Sequence, residues 1–233
     1  GARMDWRRFA DEAYFSLAHA VLLAVFWATL RGELRDWLAD PSLFWRCSQP
    51  ALSAALARYM LMQFAYDAES CASLFLAALR PGGSREAAMI FHHLATISAV
   101  TVCWRSGFVR VGAVVALLHD ATDVPIDGIR LSQSLGLSLP LYLSAALAAL
   151  SWLAGRLLLF PYLIIVPAMA STQHLVRAFE SHLAPGSAEL RRAAIVLPLV
   201  VLWVLHVHWY RLLMSKIARQ LGLSGRKPGA KRD

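Results

Sequence analysis

Six long apolar stretches run through the chain, and short polar breaks separate them. A helix needs about 20 mostly apolar residues to cross a bilayer. Residues 11–31 supply the first span. An amphipathic stretch, Arg31–Trp45, follows it, with Trp37, Phe44 and Trp45 suited to a membrane interface. Pro50 opens a second helix that runs to about Leu79, and Pro81-Gly82-Gly83-Ser84 turns the chain. Residues 86–104 form the third span, which Ser106-Gly107 breaks. Residues 108–126 form the fourth, ending near Pro125 because proline disfavours helix at its preceding residue. Residues 138–160 form the fifth, with a bend at Pro161 and Pro167 into an interfacial extension. Pro185-Gly186-Ser187 marks a loop, and residues 192–215 form the sixth span. The pattern predicts an all-α membrane protein with six transmembrane helices. No internal sequence repeat is visible, although two sets of three helices are compatible with an inverted repeat.

Composition strengthens this reading. The 233 residues are 58% hydrophobic and 16% charged, against roughly 45–50% and about 25% in soluble domains. The net charge is +8, but the basic residues flank apolar runs or gather in the tail as Arg226, Lys227, Lys231 and Arg232. Cationic residues of membrane proteins sit at such places, and their distribution favours cytoplasmic termini. No basic, aromatic-studded soluble module is present, which excludes a nucleic-acid partner. Cys47, Cys71 and Cys103 have no metal or disulfide spacing. Asp11 and Glu12 at the head of the first apolar run argue against a cleavable signal peptide. Three segments follow: residues 1–8 as an N-terminal cytoplasmic segment, 9–218 as the membrane unit, and 219–233 as a basic, disordered cytoplasmic tail. Gly1-Ala2-Arg3 ahead of Met4 reads as a trimmed chain or a cloning remnant.

Polar residues inside the spans are the candidate chemistry, because burying them in a bilayer costs several kcal/mol for a charged group. The third span reads MIFHHLATISAV. His92 and His93 point about 100° apart on a helix, so one faces a cavity while the other braces it; the plain alternative is a packing pair. The fourth span ends LLHDATDVP. Asp120 and Asp123 share a face at i, i+3, and His119 neighbours Asp123 at i, i+4. A carboxylate beside an imidazole suits general-base or nucleophile activation; helix capping at the interface is the plain alternative. No histidine box of the di-iron type occurs, and no metal is expected. Arg156 in the fifth span pairs with an aspartate or a headgroup, or snorkels. His206 in the sixth span is placed in the same cavity, or is a core residue. Tyr59, Tyr66 and Asp67 in the second helix are further candidates. His19, His174 and His182 have no companions in sequence and read as incidental.

Two segments carry a resemblance. FHHLATISAV, followed by FVRVGAVVALLHDATDVPIDGIRLSQSLG, resembles the signature of ceramide synthases of the longevity-assurance type, within the TLC-domain superfamily. Arg110-Val111-Gly112, His119-Asp120, Asp123 and Asp127 fall in place, with Asp127 where the family usually has Glu. CSQP, YMLMQFAYDAES, GRLLLFPY and VLHVHWY extend the similarity over most of residues 9–218. The homeobox-like insert of some animal members and an extra N-terminal helix are absent.

The resemblance implies a six-helix TLC barrel around a lipid-accepting cavity. It implies acyl-CoA-dependent N-acylation of a long-chain sphingoid base in the endoplasmic reticulum membrane. The implied partners are acyl-CoA as co-substrate, the sphingoid base and the bilayer, with a homodimer as a further expectation and no cofactor. The catalytic centre carries over onto His92, His93, Asp120 and Asp123, with His119, Arg156, His206, Tyr66 and Asp67 as substrate-binding candidates. His92 is favoured as nucleophile, giving an acyl-imidazole, with His93 as support and Asp120 or Asp123 orienting the ring; direct attack with a histidine as general base is the other route. Arg80, Arg85, Arg130 and the tail are expected to hold the CoA phosphates. Two rivals stand beside this reading: a TLC-domain protein that binds or senses lipid without catalysis, and a transporter using His and Asp as a proton relay.

Overall fold

Asp5 starts the first helix by accepting the backbone N–H groups of Arg7 and Arg8, each at 3.2 Å, the usual way of satisfying an orphaned first turn. From there a computed structural model describes residues 5–40, 43, 45, 52–79, 87–105, 107–170 and 188–221, with side chains of the last segment from residue 193. The described residues are helical throughout, with no strand among them. They form α1 (Trp6–Ala39), α2 (Ala54–Leu79), α3 (Ala87–Arg105), α4 (Val109–Leu135), α5 (Ser138–Met169) and α6 (Ala188–Gln220). Pro50, Cys47, Arg80, Arg85, the Pro81–Ser84 and Pro185–Ser187 breaks, His174, His182 and the tail from Gly222 lie outside the described residues.

Five element boundaries differ from the sequence reading. α1 does not stop at Arg31. Phe26, Leu30, Leu34 and Trp37 are all buried, a stripe at helical spacing that runs into the amphipathic stretch and keeps it helical to Ala39. α2 begins at Ala54, where Ser53 caps it: its hydroxyl accepts the Leu56 N–H at 3.1 Å and donates to Glu33 at 2.7 Å. α4 does not end near Pro125 but continues to Leu135, with the proline inside. Pro125 deprives one carbonyl of its donor, yet α4 lies packed between α1 and α5, and that tertiary burial overrides the local signal. α5 does not break at Pro161 or Pro167. It stays one helix by switching to π-helical pairing over Trp152–Leu159 and Pro161–Ile165. The wider turn shifts the carbonyl register around Pro161, so the missing N–H is absorbed rather than breaking the helix. At the other end, α6 reaches Gln220, past the expected start of the tail.

Two left-handed glycines set the α3–α4 and α4–α5 corners. Gly107 (φ 74°) and Gly136 (φ 68°) follow α3 and α4. Beyond them Phe108 N–H returns to Cys103 O at 2.8 Å and Leu137 N–H to Ser132 O at 2.9 Å. That closure of the last turn needs a residue that tolerates positive φ.

Helix α4 is the hub. It packs against α1, α2, α3 and α5. The core around it joins Phe26 and Leu30 of α1, Tyr59 and Met60 of α2, and Val111 and Val114 of α4. Phe160 and Ile164 of α5 and Leu199 and Leu202 of α6 complete it. Large apolar side chains point outward instead: Leu139 is 69% exposed, Leu150 67%, Leu17 65% and Leu197 64%. Charged groups inside and leucines outside are the reverse of a soluble protein and fit a lipid surround. α1, α3, α5 and α6 (from Ala193) are long and apolar enough to cross a membrane, and the chain is a multi-pass membrane protein.

Glycine lets α4 and α5 touch. A Cβ on Gly128 would lie 2.6 Å from Ser144 Oγ and 3.2 Å from Ser144 Cβ. A Cβ on Gly112 would meet only the mobile end of Met60, at 2.9 Å. Gly128→Ala should therefore cost about 1–3 kcal/mol through overpacking, while Gly112→Ala costs less than half of that. Thermal unfolding in detergent checks the order; equal midpoints for the two variants would contradict it.

Candidate active site

One face of α4 carries His119, Asp120, Asp123 and Asp127, and α1, α2, α5 and α6 each supply a partner to it. Charged or polar groups at this depth are tolerable only when matched.

From α5, Arg156 is 2% exposed. Its Nη2 donates to Asp123 Oδ2 at 2.6 Å and to the His119 carbonyl at 3.1 Å, and its Nε donates to the Thr122 hydroxyl. Trp152, one turn earlier, lies under the guanidinium at 4.2 Å, a cation–π contact. Gly155 permits this approach, since a Cβ there would sit 3.2 Å from Thr122 Cγ2. Arg156 thus reaches inward to an aspartate rather than snorkelling outward.

From α2, Gln63 and Tyr59 both donate to Asp120 Oδ2, the tyrosine at 3.3 Å, and Gln63 also donates to the Tyr59 hydroxyl at 3.0 Å. Asp120 and Asp123 therefore look toward different helices. The carboxylate that meets the histidine pair is Asp67 of α2, whose Oδ1 lies 3.3 Å from His93 Nδ1. Arg130 approaches Asp127 at 3.6 Å.

From α6, His206 is fully buried. His119 Nδ1 must donate to the Val115 carbonyl, 2.7 Å away, because a carbonyl only accepts. In the neutral ring, His119 Nε2 then accepts, and His206 Nε2–H donates to it across 3.1 Å. His206 Nδ1 is buried without a partner among the described residues.

His92 sits among these rings. Its centroid is 5.3 Å from His93, 6.0 Å from His119, 5.9 Å from His206 and 5.3 Å from Trp209. Its Nδ1 is buried and unpartnered among the described residues, and none of them hydrogen-bonds the ring. Of the four clustered imidazoles, His93 is held by Asp67, while His119 and His206 hold each other. Among the described residues no three His, Cys, Asp or Glu side chains converge as metal ligands.

His19 is the correction. It has close companions: Asp127 Oδ2 at 2.7 Å from Nδ1, the Tyr66 hydroxyl at 2.9 Å from Nε2, and Asp123 at 3.9 Å. Two signals were available in the sequence. A histidine amid apolar residues needs a partner, and Asp120, Asp123 and Asp127 form a stripe at i, i+3, i+7 that needs donors on more than one side. Gln63, Thr122, Trp152 and Trp209 carried no such signal.

Removing Arg156 leaves Asp123 without its main partner. Arg156→Met should destabilise by about 3 kcal/mol, at the low end for a broken buried pair because the Asp123 side chain is 25% exposed. Arg156→Met with Asp123→Asn should recover part of that loss. A double-mutant cycle from unfolding midpoints measures it; strict additivity would mean that the pair does not couple.

The TLC-domain sequence model, which describes TRAM, LAG1 and CLN8 proteins, matches residues 9–215. The chain is 31% identical to ASC1-like protein 3 of rice over 139 residues, 60% of this chain and 47% of that protein. It is 31% identical to ceramide synthase LOH2 of Arabidopsis thaliana over 140 residues, 60% of this chain and 46% of that protein. It is 27% identical to ceramide synthase hyl-1 of Caenorhabditis elegans over 156 residues, 62% of this chain and 40% of that protein. The chain thus spans about half the length, or less, of these relatives.

Proposed function

Because the chain belongs to the TLC-domain family, we propose that it transfers an acyl group from acyl-CoA to the amine of a sphingoid base, forming ceramide or dihydroceramide. The similarity to plant and nematode ceramide synthases supports the substrate class. The observation that carries the mechanism is the ring of His92, without a hydrogen bond among the described residues, beside three imidazoles that are each held in place.

His92 attacks the thioester carbonyl. A C–N bond forms, the C–S bond breaks, and CoA leaves as the thiolate. The sphingoid amine then attacks the acyl-imidazole, and the imidazole leaves. His93, fixed by Asp67, braces His92, while Arg156 and Asp123 keep the His119 backbone in place beneath the ring cluster. An apolar pocket of about 10 Å³ between α3, α4 and α6 is lined by Ala99, Cys103, Phe108, Val111 and Leu199 among others, room for about one water molecule rather than an acyl chain. It starts at Ala99, about 10 Å along α3 from His92 at 1.5 Å per residue.

The proposed setting is the endoplasmic reticulum membrane with six spans. α2 and α4 join the four more apolar helices, and their charged groups turn inward to Asp67–His93 and to the α4 stripe. Contacts of α1 with α4 and of α3 with α6 support a barrel of two three-helix sets.

Protein in detergent or liposomes, given sphinganine and acyl-CoA, should form ceramide, and His92→Ala should lower the rate at least about 1000-fold. Acyl-CoA alone should leave an acylated protein that hydroxylamine cleaves. Ceramide without any adduct would favour direct attack with a histidine base. No ceramide at all would leave the lipid-binding reading.

A further inference from the structure

The proposed reaction leaves one proton unassigned. A sphingoid base is an ammonium ion near neutral pH, and it must lose a proton before its nitrogen can attack an acyl group. His119 has both ring nitrogens engaged, and His206 Nδ1, unpartnered among the described residues, is buried. His93, with Nδ1 on Asp67, braces His92. His92 holds the acyl group. A second acid–base centre lies across Asp123 from this cluster.

His19 sits in an apolar stretch of α1 and is 9% exposed. Its Nδ1 faces Asp127 at 2.7 Å. A carboxylate only accepts, so Nδ1 carries the proton and Nε2 of the neutral ring presents a lone pair. A histidine fixed at Nδ1 by a buried carboxylate, with Nε2 free to take a proton, has the build of a general base. The Tyr66 hydroxyl donates to that lone pair at 2.9 Å. It occupies the position that an ammonium N–H would take.

The two sides of the ring differ in access. The Asp127 side chain is 2% exposed, whereas that of Asp123 is 25% exposed and Tyr66 is partly exposed. A ligand therefore reaches His19 from the Nε2 side, past Asp123 and Tyr66. The charges favour a cation. From α4, His19 faces Asp120, Asp123 and Asp127, with Arg130 bound to Asp127. From α2 it faces Tyr66 and Asp67, and from α5 Arg156 is held on Asp123. Glu12, two turns away on α1, is paired with Arg8. Four carboxylates thus surround the ring against two guanidiniums. Asp123 interacts electrostatically with both His19, 3.9 Å away, and His92, so one carboxylate lies between the two centres.

We propose that His19, oriented by Asp127 and flanked by Tyr66 and Asp123, binds the amine of the second substrate and accepts its proton. The assignment rests on the acyltransferase reading above. The ammonium N–H displaces the Tyr66 hydroxyl at Nε2. One N–H bond breaks, the proton moves to Nε2, and the imidazolium rests between Asp127 and Asp123. The freed lone pair forms the amide C–N bond. Of the three ammonium protons, one stays on the amide nitrogen and one goes to His19. The third passes to the departing His92 imidazole as the tetrahedral adduct collapses, replacing the ring proton that His92 gave up to the CoA thiolate when the acyl-imidazole formed. His19 returns its proton to water past the partly exposed Asp123 side chain.

The two half-reactions separate this assignment from its premise. His19→Gln should release CoA from acyl-CoA alone at a rate within about twofold of the unaltered protein, which also serves as its folding control. Its ceramide formation from sphinganine at pH 7 should fall about 100-fold, the usual size of a general-base effect. That loss should shrink at least tenfold by pH 9.5, where more of the amine is free base. Asp127→Asn, nearly isosteric, should show the same pattern at about tenfold. Ceramide formation by His19→Gln within threefold of the unaltered protein would overturn the proposal. So would a parallel loss of CoA release and ceramide, or a deficit that ignores pH. If the unaltered protein neither releases CoA nor makes ceramide, the acyltransferase reading fails instead.

Discussion

Asp123 and Arg156 meet at 2.6 Å inside a helical bundle whose outer surface is leucine-rich. Neither charge would be stable there alone, because the attraction between them is offset by the loss of hydration of each. The pair works because the guanidinium has further acceptors in the His119 carbonyl and the Thr122 hydroxyl, and an aromatic face below it in Trp152. Satisfying that one arginine fixes the phase of α5 against α4. The same requirement repeats along α4. Asp120 needs Gln63 and Tyr59, Asp127 needs His19, and His119 needs His206. Four neighbouring helices are thus registered to a single polar stripe. Apolar packing between helices is far less particular, since lipid tails solvate leucine as well as a neighbouring helix does.

The stripe also explains why the four clustered histidines are unequal. His119 has its tautomer imposed by a backbone carbonyl, and His206 inherits its own from His119. His93 answers to Asp67. Chemical identity is the same in all four, and the difference lies in what each nitrogen already touches. The ring left uncommitted among the described residues belongs to His92, on the helix where two adjacent imidazoles point in different directions.

Much of the fold was legible because the physics was local. Apolar runs gave the helices, and Ser106-Gly107 marked a corner that Gly107 then makes with positive φ. His92, His93, Asp120 and Asp123 stood out because polarity in an apolar run has a cost that any reader of the sequence can see. The rest was decided by tertiary contact. Pro125 is a stop signal for an isolated helix, but α1 and α5 hold α4 through it. Ser53 rather than Pro50 caps α2 because Glu33, twenty residues away, holds its hydroxyl. His19 looked incidental because its partners, Asp127 and Tyr66, are 108 and 47 positions distant. Spacing rules along one helix also put Asp120 and Asp123 to a shared purpose, whereas the surrounding helices draw them apart.

The π-helical stretch in α5 adds a constraint of its own. A π turn holds about one residue more than an α turn, so Trp152–Leu159 behaves like a helix carrying an inserted residue. Arg156 lies within it and Ser138–Ser151 precede it. Loss of a single residue there would restore ordinary winding and leave Phe160 and Ile164 facing the core, because the wide turn already absorbs the extra position. Arg156, inside the wide turn, is the side chain whose direction depends on it. The wide turn therefore bears on where the guanidinium points rather than on the face that the rest of the helix presents.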